Sequence, residues 1–389
     1  MTRLGFGILS CVVGLVLLTC LCGVVQTRSL IALRGTPEDK SVVSKPSPGL
    51  GDHLHDPLHI LVSVSGNSDD AVTATMKQFD VLLKSLLLNA PLHADMHIHI
   101  IGDSTTMEEL RKYQDDRWLT QWPTIQAISI NLYSADPFKK KWTGMVQQYT
   151  RNALEITDIK ESSVFRNSIG AYYRLFADEI LDAETIPSVL YMDTDLAITA
   201  NLDSILPVLD EYSNHIWSWG KTKCSGFMHF HVAEIPLIWE LYAKAPDKDI
   251  QDVAQPPYVK MGDQHILRVA EKAVPDRVGA LPPEWDGNIM DSPRDPTTKA
   301  RVFEGNHMYM MHMNGYGGGT YWESHKALRY KNAKSYNESW RLILYYVHLP
   351  WKFALGLAKA QCTLGKCHTG VSVRELPPKS FRPTFQTSS

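Results

Sequence analysis

The stretch SVLYMDTDLAITANLD, Ser188 to Asp203, decides the fold that we predict for this chain. It begins with the apolar, β-rich run SVLYM, which is typical of a buried strand. Two acids separated by one residue, Asp193 and Asp195, follow this run directly. In an extended backbone, side chains two residues apart project to one side. The two carboxylates therefore repel each other and resist burial unless a cation neutralises them.

Strand and helix patterns alternate on the N-terminal side of this stretch. β-Rich runs at 59–65, 96–103 and 124–133 are each followed by residues with helical periodicity, and an amphipathic helix is predicted at 169–181. Strands that alternate with helices predict an α/β fold with a Rossmann-like, mainly parallel sheet and helices on both faces. Ligands bind such sheets beyond the carboxyl ends of the strands, where this pattern places Asp193.

Composition divides the 389 residues into four segments. The predicted segments are a membrane anchor (1–28), a flexible stalk (29–57), a folded domain (58–335), and a C-terminal helix with a tail (336–389). We expect the apolar helical pattern at 339–360 to pack back on the domain rather than to span a membrane, because charged residues and a proline interrupt it.

The predicted anchor depends on the uncharged stretch from Leu4 to Val25, which is long enough to cross a bilayer as a helix. A cleavable signal peptide is the alternative, although its apolar region usually has only about 7–15 residues. The amino group of Met1 adds to the positive charge before the stretch, which favours a cytosolic N-terminus. We therefore expect the bulk of the chain to lie in the lumen of the secretory pathway.

Charge and cysteine content restrict the function classes. A net charge of −3 and a pI near 6.6 give no basic surface for nucleic acid, so we predict no nucleic-acid partner. Cys362 and Cys367 are close enough in sequence to form a small disulfide loop in an oxidising compartment. Cys224 is then left single, and we interpret it as a buried small hydrophobic residue.

A metal site follows from the acidic pair. Carboxylate oxygens suit Mn²⁺ or Mg²⁺, and a cation with few protein ligands keeps open positions for phosphate oxygens. A further strand-like run ends at His312, whose ring can supply a nitrogen to the same cation; a structural hydrogen bond is its alternative role. The glycines at 315–319 let backbone N–H groups approach a phosphate, or form a flexible loop. The pattern thus favours activation of a diphosphate leaving group.

Six stretches, taken in order, resemble the family 8 retaining glycosyltransferases, which have the GT-A fold. In detail the chain resembles the glucoside and xyloside xylosyltransferase branch of the secretory pathway. The stretches are AYYRLFADEIL (171–181), VLYMDTDLAITANLDSI (189–205), CSGFMHF (224–230), GDQHILRVA (262–270), LPPEWD (281–286) and HMNG (312–315). The resemblance covers about 59–320, so it implies a GT-A catalytic domain over 58–335.

The resemblance also implies roles for individual residues. The implied metal ligands are Asp193, Asp195 and His312, holding Mn²⁺ or Mg²⁺. The implied catalytic residues, close to the donor sugar, are Arg174, Asp263 and Gln264. The residues implied to bind the nucleotide sugar are Val64, Ser65, Asp193, Thr194, Ser225, Gly226, Asn314 and Gly315. Trp285 and Asp286 fall where the family shapes the acceptor side.

The implied reaction is metal-dependent transfer, with retention, of a sugar from a UDP-sugar to a glycan or glycoprotein acceptor. UDP-xylose ranks first as donor, followed by UDP-glucose and UDP-galactose. The implied location is the Golgi or endoplasmic reticulum membrane, as a single-pass type II protein with a lumenal catalytic domain. Double displacement needs a carboxylate nucleophile beneath the anomeric carbon. Motif position suggests only Asp263, and Gln264 beside it cannot form a good leaving carboxylate ester, so we prefer front-face substitution.

Two departures from the family support a second hypothesis. Cys224 stands where the family commonly has asparagine, and no lysine follows the His-x-x-Gly element at 312–315. The alternative is therefore a noncatalytic GT-A protein that binds nucleotide sugar or glycan. A metal-dependent phosphohydrolase that uses the same carboxylates is a third reading of the motif.

Overall fold

The computed structural model describes residues 56–66, 69–91, 94–116, 128–149, 169–253, 262–287, 309–313, 342–351, 354 and 371–375. Contacts divide the chain into a unit Met1–His53 and a unit Leu54–Ser389, and all described residues belong to the second. The predicted anchor, the stalk up to residue 55 and the Cys362–Cys367 pair lie outside the described residues. Of the helices that the structure describes, none is long and apolar enough to cross a membrane.

The described residues form ten strands and, apart from the C-terminal helical segment, seven α-helices. The strands are β1 (Leu58–Val64), β2 (Met96–Gly102), β3 (Ile128–Ser134), β4 (Ser188–Met192), β5 (Leu196–Ile198), β6 (Trp217–Trp219), β7 (Phe227–His231), β8 (Val278–Ala280), β9 (Met310–His312) and β10 (Val371–Glu375). The helices are α1 (Asp69–Leu88), α2 (Ser104–Asp116), α3 (Lys139–Tyr149), α4 (Leu206–Glu211), α5 (Ile235–Lys244), α6 (Asp247–Val253) and α7 (Asp263–Ala273). Short 3-10 helices span Ile169–Glu179, Leu202–Ser204, Val232–Glu234, Pro275–Arg277 and Pro283–Trp285.

The main sheet has eight strands in the order β10-β3-β2-β1-β4-β7-β6-β8. Strands β10, β3, β2, β1 and β4 form a continuous parallel block, and β6 and β8 are also parallel. Strand β7 runs antiparallel to both β4 and β6, so the sheet is mixed. The prediction of a mainly parallel sheet is therefore confirmed, with one reversed strand that it did not include. Strands β5 and β9 form a separate antiparallel pair.

Helices cover both faces of the sheet, as predicted. Ile60 and Val62 of β1 pack in a buried cluster with apolar residues of α1 and α2. Leu61, which points to the opposite face, packs in a second cluster with residues of α3, α5, α7 and the 3-10 helix Ile169–Glu179. This division follows from the period of two along a strand, since every residue of a parallel central strand faces one apolar layer or the other.

The helix predicted at 169–181 differs from expectation. It is a 3-10 helix over Ile169–Glu179 with a break at Phe176, where φ is −128° and ψ is 15°. The nine residues from Ile169 to Ala177 are all buried, so the amphipathic interpretation is wrong for this part. A helix that is buried on all sides has no solvent-exposed face, although polar residues within it suggest one in the sequence. Arg174 lies within it and is therefore buried as well.

The C-terminal helical segment packs on α1. Residues 342–348 are helical, and the backbone oxygen of Tyr346 accepts a hydrogen bond from Lys84 Nζ at 3.3 Å. The indole N–H of Trp351 donates to Asp80 Oδ1 at 2.7 Å. The prediction that this segment returns to the domain is confirmed for the residues that the structure describes.

Candidate metal centre

The acidic pair begins where β4 ends. Asp193 follows the last residue of the strand, and its backbone N–H donates to the carbonyl of Gly226 at 2.8 Å. The chain then turns, with the N–H of Leu196 donating to the carbonyl of Asp193 at 3.3 Å, and enters β5. Asp193 and Asp195 therefore lie beyond the carboxyl end of a parallel strand, which is where ligands bind in sheets of this kind.

Strand pairing brings His312 to this position. In the β5–β9 ladder Leu196 is opposite His312, and the N–H of Met313 donates to the carbonyl of Asp195 at 3.0 Å. The ring Nε2 of His312 lies 3.1 Å from Asp195 Oδ1 and 3.7 Å from Asp193 Oδ2. A short antiparallel ladder thus holds a histidine against two acids that precede it by more than a hundred residues.

These three side chains can hold a metal ion. One ligand atom from each of Asp193, Asp195 and His312 lies within 4.8 Å of the other two, and within the described parts of the chain no other such group occurs. His312 is buried, whereas the carboxylates of Asp193 and Asp195 are 28% and 23% exposed. Two oxygens and one imidazole nitrogen suit Mn²⁺ or Mg²⁺, and the exposed side leaves coordination positions for a substrate.

The surroundings of His312 favour positive charge. Burial alone lowers the pKa of an imidazole, but Cys224 and Asp195 outweigh it and raise the pKa of His312 well above its ordinary value. Neighbours that stabilise a proton on this buried ring also attract a metal cation. The electrostatic environment of His312 is therefore suited to binding a cation between the three ligands.

Gly226 is required by the close approach of the backbone to these ligands. A Cβ atom at this position would lie 2.1 Å from Cε1 of His312 and 2.8 Å from Oδ2 of Asp193. Neither neighbour can give way without leaving the cluster, so any larger residue would displace a ligand.

Arg174 is buried and binds one of the three ligands, Asp193. Its Nη2 donates to Asp193 Oδ1 at 2.9 Å, its Nε forms an ion pair with Asp263 Oδ2 at 3.4 Å, and its Nη1 donates to the backbone oxygen of Ser225. The guanidinium also stacks on Tyr191, 4.0 Å from the ring centroid. Burial disfavours the charge, but Asp193 and Asp263 outweigh it and raise the pKa of Arg174 above its ordinary value.

Asp263 is the first residue of α7 and is buried. Burial raises the pKa of its carboxyl, and Arg174 partly offsets this effect. Gly262 precedes it with φ of 56°, a left-handed conformation that favours glycine. The buried carboxylate of Asp263 points toward Arg174, with which it forms the ion pair described above.

Two polar side chains meet the sulfur of Cys224, a buried cysteine without a disulfide. Its Sγ is 3.3 Å from Nδ1 of His312 and 3.6 Å from Nε2 of the half-buried Gln264. The burial predicted for Cys224 is confirmed, but the prediction missed its contact with a metal ligand. The only sequence signal was its position, two residues before Gly226 in a motif where asparagine is common.

Among solved structures the chain is similar to mouse xyloside xylosyltransferase 1 in its apo form. The TM-score is 0.50 at 14% identity, and the match covers 67% of this chain and 99% of the mouse chain. The chain has a GT-A-like fold.

Two further structures complete the comparison. GlyE of Streptococcus pneumoniae TIGR4 matches with a TM-score of 0.49 at 13% identity, over 84% of this chain and 66% of its own. The galactosyltransferase LgtC, in complex with donor and acceptor sugar analogs, matches with a TM-score of 0.41 at 13% identity, over 76% and 100%. Neither a protein-family model nor a curated protein sequence matches the chain. At 14% identity the likeness to the mouse xylosyltransferase shows the fold alone, and the chemistry depends on the residues described above.

The remaining predicted residues occupy several places in the GT-A-like fold. Val64 and Ser65 are buried at the carboxyl end of β1, next to β4. Thr194 is half-buried between the two acids, and Ser225 is buried beside Arg174. Asn314 and Gly315 lie outside the described residues. The nucleotide-sugar and catalytic roles of all these residues stay predictions.

The residues predicted for the acceptor side have structural contacts. Trp285 is buried and stacks on Phe227, with ring centroids 5.6 Å apart and planes inclined by 3°. Asp286 accepts hydrogen bonds from the backbone N–H of Thr222 at 2.9 Å and from its hydroxyl at 2.6 Å. Trp285 therefore packs on the first residue of β7, and Asp286 binds the loop that precedes this strand; their contact with an acceptor stays a prediction.

Proposed function

We propose that this chain is a metal-dependent retaining glycosyltransferase that moves a sugar from a UDP-sugar to a glycan or glycoprotein. The observation that carries the proposal is the convergence of Asp193, Asp195 and His312, with ligand atoms within 4.8 Å, at the carboxyl edge of a GT-A-like sheet. Mn²⁺ or Mg²⁺ held there would supply a Lewis acid for the diphosphate oxygens. The neighbouring residues would orient the metal ligands and the donor sugar.

Asp193 is oriented by two donors on one of its oxygens. Oδ1 accepts from Arg174 at 2.9 Å and from the hydroxyl of Tyr191 at 2.6 Å. Oδ2 is the oxygen that faces His312. Because Oδ1 is fully engaged with the protein, Oδ2 is the atom presented to a cation. Outer hydrogen bonds of this kind fix the orientation of ligating carboxylates.

The position of Asp263 supports front-face substitution. A nucleophilic carboxylate must reach the anomeric carbon, whereas the side chain of Asp263 is 7% exposed and paired with Arg174. In front-face substitution the bond from the sugar to the diphosphate breaks while the acceptor oxygen bonds to the same face of the anomeric carbon. The acceptor proton passes to the departing diphosphate oxygen. The protein then contributes positioning and charge stabilisation, with Gln264 placed to steady the sugar.

UDP-xylose is the first donor to test, because the motifs resemble a xylosyltransferase branch and a solved xylosyltransferase shares the fold. UDP-glucose and UDP-galactose follow. We further propose that the 1–28 segment anchors the protein in the Golgi or endoplasmic reticulum membrane as a single-pass type II protein. The domain at 58–335 would then meet nucleotide sugars and acceptors in the lumen.

The test is a donor screen on the purified full chain with Mn²⁺, scored for UDP release with and without glycan acceptors. The double variant Asp193→Asn with Asp195→Asn is the inactive control. Acceptor-dependent release from one donor, abolished by a chelator and by the double variant, supports the proposal. Binding of UDP-sugar without release favours a noncatalytic binding protein, and release that needs no acceptor favours a phosphohydrolase.

A further inference from the structure

The ring of His312 connects the metal centre to a thiol. Its Nε2 faces Asp195 Oδ1 at 3.1 Å, and its Nδ1 lies 3.3 Å from the sulfur of Cys224. The same sulfur is 3.6 Å from the amide Nε2 of Gln264. Amide nitrogen is only a donor, so the sulfur accepts from Gln264. One buried atom thus lies between a metal ligand and a residue predicted to meet the donor sugar.

A histidine that ligates a metal through Nε2 must carry its proton on Nδ1. That N–H is almost always given to an acceptor, which fixes both the tautomer and the ring orientation. His312 is 3% exposed, so bulk water does not replace a lost partner. An Nδ1–H without an acceptor would keep the full cost of its desolvation. The sulfur of Cys224 is the acceptor that the structure places within reach.

The loop before β7 holds this sulfur in place. Lys223 adopts φ of 53°, a left-handed conformation that is unfavourable for a residue other than glycine. Arg268 Nη2 donates to the backbone oxygen of Lys223 at 3.1 Å, and both the N–H and the hydroxyl of Thr222 bind Asp286. Such a conformation persists only where its surroundings fix it. The strained residue immediately precedes Cys224 and directs it toward His312.

We propose that Cys224 is a positioning residue of the metal centre, whose sulfur accepts the Nδ1–H of His312 and so aims Nε2 at the cation. The inference rests on the proposed function, because it assumes that His312 binds a metal. The sulfur also binds Gln264, so the orientation of the metal ligand and that of the amide depend on the same atom. Sulfur is a weak acceptor, and this chain therefore holds its histidine less firmly than a carbonyl or carboxylate does.

The test measures Mn²⁺ affinity directly, by the electron paramagnetic resonance of unbound Mn²⁺ titrated into chelator-treated full chain. Cys224→Ala removes the acceptor, and we expect the dissociation constant to rise about tenfold. Cys224→Ser supplies a hydroxyl that accepts the same N–H, and we expect it to recover most of the affinity. Val232→Ala is the matched control. It shortens a buried side chain next to the first residue of β4, at the end of that strand away from the metal centre, and the variant should bind Mn²⁺ as wild type does.

A second measurement separates positioning from loss of packing. Pulsed resonance of bound Mn²⁺ reports the nitrogen of a ligating imidazole, so we expect this signal in wild type and Cys224→Ser and a weaker one in Cys224→Ala. Cys224→Val fills the space without an acceptor, and it replaces the alanine variant should that protein not fold. We expect it to bind Mn²⁺ as weakly as the alanine variant.

The outcomes distinguish the two proposals. Wild-type affinity in Cys224→Ala or Cys224→Val, with wild-type protein that binds Mn²⁺, overturns the role of Cys224 and leaves the proposed function standing. A serine variant as weak as the alanine variant also overturns it, because the acceptor would then not explain the loss. Wild-type protein that binds no Mn²⁺ overturns the proposed metal-dependent function and this inference with it.

Discussion

Arg174 and Asp193 form an ion pair at the base of the metal centre, with Nη2 of the arginine 2.9 Å from Oδ1 of the acid. The same guanidinium pairs with Asp263, so one buried cation compensates two carboxylates. Removing an acid from water without such compensation costs several kcal/mol per ion. The arginine therefore offsets the burial of two carboxylates next to a site that must itself attract a cation.

We expect Arg174→Ala to lower the free energy of unfolding by about 3–5 kcal/mol, because it leaves a buried carboxylate without its partner. Urea denaturation at neutral pH measures the loss. The control is Lys244→Ala, which removes an exposed pair with Glu240 and should cost no more than about 1 kcal/mol. Equal losses in the two variants would contradict the importance that we assign to the buried pair.

Gly226→Ala should abolish Mn²⁺ binding, since its Cβ would lie 2.1 Å from a ring carbon of His312. Gly144→Ala is the matched control, because nothing lies within 4 Å of a Cβ at that position of α3. That substitution should stabilise the protein by about 0.5–1 kcal/mol through higher helix propensity. Manganese titration together with urea denaturation of both variants tests the pair of predictions. Retention of Mn²⁺ affinity in Gly226→Ala would show that the ligands can move apart without loss.

Much of the fold could be predicted because the signals are local. The alternation of apolar strands and amphipathic helices such as α1 is visible within a window of a few turns. The direction of β7 was not predictable, since Phe227–His231 has the same pattern whichever way it pairs. The 3-10 helix around Arg174 was misread as amphipathic because its polar residues suggest a solvent-exposed face, whereas the residues from Ile169 to Ala177 are all buried.

The site was predictable to the extent that it depends on sequence motifs. Asp193 and Asp195 follow a strand, His312 ends a further strand-like run, and the resemblance implied that all three bind one metal. The contacts that orient these ligands depend on pairing between distant segments, as when the β5–β9 ladder sets His312 beside Asp195. The role of Cys224 could not be read from its neighbours in sequence, because its partner is 88 residues away. Contacts between residues so far apart in the sequence are determined by the topology of the sheet rather than by the local sequence pattern.

Stability should fall on acidification, because several imidazoles are buried in the neutral form. Burial lowers the pKa of His99 and of His229 to about 3. An unfolded histidine titrates near its ordinary value, so the unfolded state binds more protons as the pH drops below about 6.5. The stabilisation is therefore complete above that pH and is lost progressively as the pH falls toward 3, by about 2 kcal/mol for each ring at pH 5.

Urea denaturation at pH 7 and pH 5 measures this effect. His229 is the sharper target, because neither ring nitrogen has a hydrogen-bond partner in the structure. We expect His229→Leu to reduce the loss between the two pH values, whereas His348→Gln, at an exposed position, should leave it unchanged. An unaltered loss in His229→Leu would mean that this ring does not stay neutral in the folded protein.

Metal binding itself should stabilise the protein, because the three ligands converge only in the folded state. At a Mn²⁺ concentration about 100 times the dissociation constant, the free energy of unfolding should rise by about 2.7 kcal/mol. Asp195→Asn removes the charged oxygen nearest to His312 and should lose this increase, measured against its own melting temperature in chelator. Asp210→Asn, an exposed acid on α4, should show the full increase. Thermal melts of the three proteins in Mn²⁺ and in chelator decide the matter, and an equal shift in Asp195→Asn and wild type would place the cation elsewhere.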